Sequence, residues 1–354
     1  DGGASGETDG GRSELTGSGD AAAKRESIPM SQASQHPPAA FFGMILGLSG
    51  LANGWRAAHR VWAAPEIVGQ VVAHVALIVW AALVVFYIRK WLMARPAAEA
   101  ELAHPVQGFF VVLAAVATMI CGLAIAPDWP LLGKAMMAVG LAAQLAFAVW
   151  AMGGLWQGGR SHETTTPALY LPATGGFLVA AMCLSAFGLP DWASLAFGAG
   201  FLSWLVMEGV MLNRLIHQPA LPAPMRATIG IHFAPPAVGC VAWLAVTSGA
   251  PDMLARIFFG YALFQALVMA RLIPWLRQQP FSAAYWAYSF AISALPLAAI
   301  RLVERGMDGA PAQLAPWLFA LANLLIGGFA IGSLTLLAQG RLIPAAPPRS
   351  DPAP

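Results

Sequence analysis

Long runs of predominantly apolar residues, several of them 20 or more residues in length, constrain the fold of this chain more than any other feature. A run of this length can cross the hydrocarbon core of a bilayer as a helix. A segment in lipid must satisfy its backbone hydrogen bonds internally, which leaves helices or a closed β-barrel. Barrel strands alternate in short segments, whereas these runs are continuously apolar. Only 10% of the residues are charged, against about 25% in soluble domains. The sequence therefore predicts an all-α membrane protein.

Ten segments of the chain fit this description. An even number of spans places both termini on the same side of the membrane. The predicted helices are 38–56, 66–92, 105–125, 131–157, 167–188, 191–215, 224–248, 251–276, 281–303 and 311–338.

Basic residues indicate the orientation, because cytoplasmic loops of membrane proteins are enriched in Lys and Arg. With these spans, 13 of the 19 Lys and Arg residues lie on the side of the termini and 6 on the other. We therefore expect both termini in the cytoplasm. The polar residues 1–36 are predicted to form a disordered cytoplasmic tail, residues 37–340 the membrane domain, and residues 341–354 a second disordered tail. Met30 precedes the first apolar run, so residues 1–29 are a candidate extension ahead of it.

Prolines reveal a repeat, because each odd-numbered helix begins at one, with spacings of 67, 62, 57 and 56 residues. These prolines are Pro38, Pro105, Pro167, Pro224 and Pro280. Proline is favoured in the first turn of a helix, so the regular spacing predicts five helical hairpins. Prolines well inside helices also fall in odd-numbered spans, where the bends that they cause need protein or water nearby. Two arrangements remain open on this evidence: five odd-numbered helices inside five even-numbered ones around a central pore, or a compact ten-helix bundle without a central path.

Six stretches carry a resemblance to a known family. They are LWQGG at 155–159, ALYLPATGGF at 168–177, FGAGFLSWLVMEGVMLNRL at 197–215, MRATIGIHFAPPAV at 225–238, RLIPW at 271–275 and YWAYSF at 285–290. In this order and spacing, from about residue 36 to 340, the chain resembles the TehA family of bacterial tellurite-resistance and C4-dicarboxylate transporter proteins. That family is related to the slow anion channels of plant guard cells.

The resemblance implies a fold of ten helices in five hairpins, with the odd-numbered helices lining a central pore. It implies a homotrimer with one pore per subunit, in the bacterial inner membrane. It also implies a phenylalanine plug on the ninth helix, which the match of YWAYSF assigns to Phe290. The first and third spans depart from the family, because they contain glycines where its members often have mid-helix prolines.

Phe290 has small helical neighbours, since four of the six residues at distances of three, four and seven positions are Ala or Ser. Such an environment leaves room for the ring to block a narrow bore. A packing role at a helix interface is the alternative that composition alone favours. Residues predicted to line the pore or kink its helices are Pro172, Pro235, Pro236, Ser293 and Pro296.

Anion selection is predicted at the cytoplasmic mouth. All five odd-numbered helices would start there, and each helix N-terminus carries roughly half a positive charge. Arg226, in the loop that enters the seventh helix, is expected to add to this attraction. No ring of acidic residues, which would favour cations, is visible at membrane depth.

Glu208 lies deep in the sixth helix, where an isolated charge is costly and usually paired. We expect a structural ion pair with Arg271, or alternatively with Arg214. A proton-coupling acid is the functional alternative. His74 and His232 lie well inside helices, and two facing histidines could ligate a haem, but no supporting spacing is present.

The sequence contains no nucleotide-binding loop, catalytic triad or metal motif, so no enzyme activity, cofactor, metal or nucleic-acid partner is predicted. The predicted function is a gated channel for small inorganic or dicarboxylate anions. The alternative is a secondary carrier for C4-dicarboxylates or tellurite, with alternating access.

Overall fold

The computed structural model describes residues 36–343, and this part of the chain is helical without strands. The two expected disordered tails lie almost entirely outside the described residues. The helices are α1 (Gly43–Trp62), α2 (Glu66–Met93), α3 (Arg95–Ala103), α4 (Leu113–Ile125), α5 (Pro130–Trp156), α6 (Gly176–Ala186), α7 (Pro190–His217), α8 (Ile229–Val246), α9 (Met253–Leu276), α10 (Ser289–Glu304) and α11 (Ala310–Ala338).

Short turns of 3₁₀ or π helix precede five of these helices. We call α1, α4, α6, α8 and α10, with these turns, the inner helices. The turns are Ala39–Phe42, Gln107–Val112, Pro167–Leu169, Leu171–Gly175, Ala223–Thr228 and Ala283–Tyr288. Four of the inner helices begin with 3₁₀ geometry alone, and the third adds a π-helical turn, Leu171–Gly175, around Pro172. Pro38 directly precedes the first of these turns and Pro167 is the first residue of its own, as expected for a residue without an N–H to satisfy.

Within residues 36–343, nine helices are long and apolar enough to cross a membrane. The segment 39–62, which contains α1, is not among the nine; it includes Asn53, Arg56, His59 and Arg60. Each of the nine corresponds to one of the spans predicted from the sequence.

Helix packing separates an inner from an outer set. Each inner helix packs against the long helix that follows it: α1 with α2, α4 with α5, α6 with α7, α8 with α9, and α10 with α11. The inner helices also contact one another in a closed cycle, in which α1 touches α4, α4 touches α6, α6 touches α8, α8 touches α10, and α10 returns to α1.

Burial follows the same division. Four inner helices have 72–83% of their most apolar window buried within the protein, whereas the five helices that follow them have only 11–33% buried. The exposed positions of the outer helices are largely Leu, Ile, Val and Trp, which suits contact with lipid. The core therefore lies among the inner helices.

The structure extends one predicted span and adds one helix that was not predicted. The first span extends to Trp62 rather than to residue 56, because Arg56 and Arg60 continue the helix instead of ending it. Helix α3 was not predicted, since RPAAEAELA is short and polar. Its Glu101 forms a buried ion pair with Lys90 and accepts a hydrogen bond from the N–H of Ala39, which fixes the start of the first inner helix.

Glycines allow α1 and α10 to pack closely. A Cβ added at Gly47 would lie 2.4 Å from the Ser289 side chain, and one at Gly50 would lie 2.1 Å from the Ser293 Oγ. Ser289 Oγ also donates a hydrogen bond to the Gly43 carbonyl. This contact fixes the half of α10 that contains Phe290.

Candidate functional site

Two cavities lie among the inner helices. The first, of about 130 Å³, is lined by the N-terminal halves of all five, from Ala40 in the first to Phe290 in the last. The second, of about 600 Å³, is lined by their C-terminal halves. Phe290 and Val238 line both cavities. The two cavities are therefore adjacent, with these side chains between them.

Phe290 is the second residue of α10 and is partly buried. Small side chains flank it along the helix, with Ala287 lining the first cavity and Ser293 and Ala294 lining the second. Ser293 Oγ donates a hydrogen bond to the Phe290 carbonyl at 3.0 Å, so the serine hydroxyl is held by its own helix. The ring thus borders both cavities and has small side chains beside it along its own helix.

The predicted pore-lining and kink residues occupy different positions. Pro235 lines the first cavity and Ser293 the second, whereas Pro236 and Pro296 are buried inside α8 and α10. Pro172 lies in the π-helical turn before α6. Its carbonyl accepts a 2.6 Å hydrogen bond from Gln144 of α5, so the outer helix satisfies a backbone group in this distorted turn.

Four arginines line the second cavity, and we call them the arginine cluster: Arg56, Arg60, Arg301 and Arg305. The first two lie on α1, and the others lie at the end of α10. Each pair is spaced by four residues, which places its members on one face of the helix. Arginines inside membrane helices are rare and usually mark the path of an ion or substrate.

Two carboxylates pair with the arginine cluster. Arg56 donates to Asp128, while Arg60 and Arg301 donate to the two oxygens of Glu304 at 2.5 Å and 3.0 Å. Arg305 donates to the Leu244 and Thr247 carbonyls and to the Thr247 hydroxyl, and it forms no ion pair within residues 36–343. Four guanidinium groups against two carboxylates leave a surplus of two positive charges at this cavity.

The first cavity has no charged side chain among its described lining residues. Arg226 does not line it. Its guanidinium lies over the Trp275 ring at 4.7 Å and donates to Gln278 Oε1 at 2.9 Å, so the loop after α9 holds it aside. The attraction of anions by Arg226 at the cytoplasmic mouth stays a prediction, and the arginine cluster lies at the opposite cavity.

Glu208 of α7 is held by hydroxyl and indole donors rather than by an arginine. Tyr170 donates to Oε2 at 2.7 Å, Tyr261 to Oε1 at 2.9 Å, and Trp204 to Oε2 at 3.0 Å. His232 Nε2 lies 3.6 Å from Oε1. The cluster connects α7 with α8, α9 and the turn before α6, and Tyr170 also lines the first cavity.

The expected ion pairs of Glu208 do not form between the described side chains. Arg271 is exposed on α9, and Arg214 is buried with Nη1 donating to the Pro219 carbonyl at 2.9 Å. Three neutral donors surround the carboxylate, so it has hydrogen-bonding partners without a cation. Tyr170 and Tyr261 come from elements other than α7, which no local spacing could have indicated, whereas Trp204 lies four residues before Glu208 on the same helix.

The two histidines considered as haem ligands have protein partners at both ring nitrogens. His74 Nδ1 contacts the Gln70 carbonyl at 2.7 Å, and its Nε2 contacts Trp129 Nε1 at 3.1 Å. His232 Nδ1 lies 3.2 Å from the Tyr170 hydroxyl, and its Nε2 faces Glu208 and Gln265. Both nitrogens of each imidazole therefore face a partner within the protein.

The arginine cluster is the feature that the sequence analysis missed. Arg56, Arg60, Arg301 and Arg305 are four of the six basic residues that the orientation count places on the side opposite the termini. A usable signal was present, because all four stand at the ends of odd-numbered spans. Those are the spans that the proline repeat assigns to the inside.

Comparison with known proteins places this chain in a family context. Residues 36–334 match the family model of the voltage-dependent anion channel, SLAC1. The chain is 30% identical over 305 residues to the tellurite resistance protein TehA homolog of Haemophilus influenzae, covering 86% of this chain and 92% of that protein. It is 26% identical over 287 residues to the guard cell S-type anion channel SLAC1 of Arabidopsis thaliana, and 24% identical over 272 residues to the S-type anion channel SLAH2 of that plant. These alignments cover 78% and 75% of this chain, and it spans about half the length of the plant proteins, 51% and 52%.

Proposed function

The chain belongs to the SLAC1 family of voltage-dependent anion channels and is a multi-pass membrane protein, and from this premise we propose that it is a gated channel for small anions. The proposed pore runs between α1, α4, α6, α8 and α10. The proposed gate is the side chain of Phe290. The segment 39–62 would be the tenth membrane helix, and the five inner helices would each form a hairpin with the helix that follows.

One observation carries this proposal: Phe290 lines both cavities. With the ring in its observed position, it stands between two spaces that the inner helices otherwise surround. A hydrophobic constriction of this kind gates a channel by excluding water. The small residues beside Phe290 support a movement of the ring, because they leave it space.

The charge of the second cavity supports selectivity for anions. Rings of Arg or Lys favour anion passage, and the arginine cluster has a surplus of two positive charges. The basic residues outside the spans support cytoplasmic termini in an inner membrane, which would place this cavity on the periplasmic side. A homotrimer with one pore per subunit is the proposed assembly, by analogy with the family resemblance.

Reversal potentials test the charge selectivity. Phe290→Ala protein is reconstituted in a planar bilayer with a tenfold KCl gradient, and single-channel currents are recorded. We expect a reversal potential close to the chloride equilibrium potential. A value near the potassium equilibrium potential would refute the proposal. A secondary carrier would show no resolvable single-channel events, yet would transport labelled succinate or tellurite into vesicles.

A further inference from the structure

We propose that the arginine cluster in the second cavity is a binding site for oxygen-bearing anions, such as nitrate and small carboxylates, and that it holds the anion before passage. This inference deepens the proposed function, and it names a site and a ligand class. It rests on the positions and the free donors of Arg56, Arg60, Arg301 and Arg305.

Three of the four guanidinium groups are held close together, and Arg56 lines the same cavity. Arg60 of α1 and Arg301 of α10 share the carboxylate of Glu304, which fixes these two groups beside each other across the helix pair. Arg305 follows Arg301 by one helical turn, and its contacts with two carbonyls at the end of α8 hold it in place. The cluster is therefore ordered without a bound anion, which reduces the entropy cost of binding.

Free N–H donors remain after the internal contacts are counted. Arg60 uses only Nε and Arg301 only Nη1 in the contacts of the described residues. Arg56 lines the second cavity and uses only Nη2, toward Asp128, in the contacts of the described residues. A cavity of about 600 Å³ beside it has room for a hydrated anion that offers several oxygens.

The guanidinium fork determines the ligand class. Arginine presents parallel N–H donors that match two oxygens of a carboxylate or oxyanion, whereas a halide offers a single sphere without this geometry. The surplus of two positive charges attracts any anion, but the fork favours those with two oxygens. We therefore expect nitrate to bind more tightly than chloride.

The test compares four proteins in the Phe290→Ala background: the background alone, Arg301→Gln, Arg301→Lys and Arg256→Gln. Arg301 lines the cavity, and its only ion pair, with Glu304, leaves that carboxylate bonded to Arg60. Arg256 is the matched control, since it is an exposed arginine in the first turn of α9 and does not line the cavity. Current is measured against nitrate and chloride concentration, applied to each side of the bilayer in turn.

We expect Arg301→Gln to raise the half-saturating nitrate concentration from one side about fivefold, as the loss of one solvent-accessible charge contact suggests. Arg256→Gln should leave it unchanged. Arg301→Lys should leave the half-saturating chloride concentration unchanged and lose the preference for nitrate. Lysine keeps the positive charge but lacks the parallel N–H donors of the guanidinium group. Equal effects of Arg301→Gln and Arg256→Gln would overturn the site, as would equal nitrate preference in Arg301→Lys and the background.

A second measurement separates this inference from the channel proposal. The thermal unfolding midpoint of the detergent-solubilised full chain is recorded in nitrate and in chloride, because a ligand that binds the folded protein stabilises it. Greater stabilisation by nitrate in the wild type than in Arg301→Gln supports the site even where no current is found. Conduction without any difference between these proteins in either assay would refute the site and leave the channel proposal standing.

Discussion

Replacing Phe290 with alanine should join the two cavities. The ring is the largest side chain that lines both, and the positions beside it, Gly50, Ala287 and Ala294, cannot fill the space that it leaves. Val238 is the other shared lining residue and is too small to replace the ring. We therefore expect the Phe290→Ala protein to conduct without a conformational change at this position.

The size of the effect follows from the cost of moving the ring aside in the wild type. An off-rotamer side chain costs about 0.5–1.5 kcal/mol. Losing on the order of ten carbon contacts, at 0.1–0.2 kcal/mol each, adds about 1–2 kcal/mol. A total of about 1.5–3.5 kcal/mol corresponds to a closed state favoured roughly 10- to 400-fold. Macroscopic anion current per reconstituted protein should rise by a similar factor in Phe290→Ala.

The assay is macroscopic chloride current in bilayers that contain equal amounts of folded protein, checked by size-exclusion chromatography. Phe264→Ala is the matched control, because this ring is 58% exposed on the outer helix α9 and lines neither cavity. The control should conduct like the wild type. Phe290→Leu, which leaves a smaller obstruction, should lie between the wild type and Phe290→Ala.

Two results would contradict this reasoning. The first is a folded Phe290→Ala protein whose current equals that of the wild type. The second is an equal rise in Phe264→Ala, which would indicate a leak caused by general loosening. Either result would assign Phe290 to helix packing.

Three further substitutions test the hydrogen bonds of Glu208, the close contact between α1 and α10, and the N-terminal cap of α9. Glu208→Gln should retain anion selectivity while lowering unfolding stability by about 1–3 kcal/mol, because it weakens charge-assisted hydrogen bonds; a loss of selectivity in reversal-potential measurements would indicate a functional acid. Gly50→Ala should cost about 1–3 kcal/mol by overpacking against Ser293, whereas Gly198→Ala, with nothing within 4 Å of the added Cβ, should be harmless in thermal unfolding. Asp252→Ala removes the cap of α9 and should cost about 1 kcal/mol at pH 7. A backbone N–H of that cap lowers the pKa of Asp252, so its contribution is complete above the pKa of the unfolded chain and should disappear as the pH falls through the lowered value.

The spans could be predicted from the sequence because lipid imposes a strict rule on length and polarity. The predicted 66–92 and the observed α2, Glu66–Met93, differ by one residue. The predicted end of the first span at residue 56 was wrong, because charged residues were taken to end the helix. Helix α1 continues through Arg56 and Arg60. In a protein whose inner helices surround a cavity, a charged side chain can face water at a depth where it could not face lipid.

The contacts of the candidate site were less predictable. Phe290 could be singled out only through the resemblance of YWAYSF to a family, because a phenylalanine among alanines is equally typical of a packed helix interface. Two partners of Glu208, Tyr170 and Tyr261, come from other elements, so their meeting depends on tertiary packing; Trp204, four residues earlier in α7, follows the helical periodicity. Arg226 was placed at the cytoplasmic mouth by its position in a loop, and only the structure reveals its contacts with the indole of Trp275 and the amide of Gln278.

The arrangement of the arginine cluster also suits the demands of conduction. A pore must attract an anion strongly enough to admit it, and weakly enough to release it. Four unpaired guanidinium groups would retain an anion, whereas full pairing would abolish the attraction. Glu304 and Asp128 offset half of the charge, which leaves a moderate attraction at the second cavity. The first cavity has no charged side chain among its described lining residues, so an anion that passes Phe290 in that direction meets no further arginine there. We therefore expect Glu304 and Asp128 to set the rate of anion release. Neutralising these two carboxylates should slow the release of the anion from the second cavity.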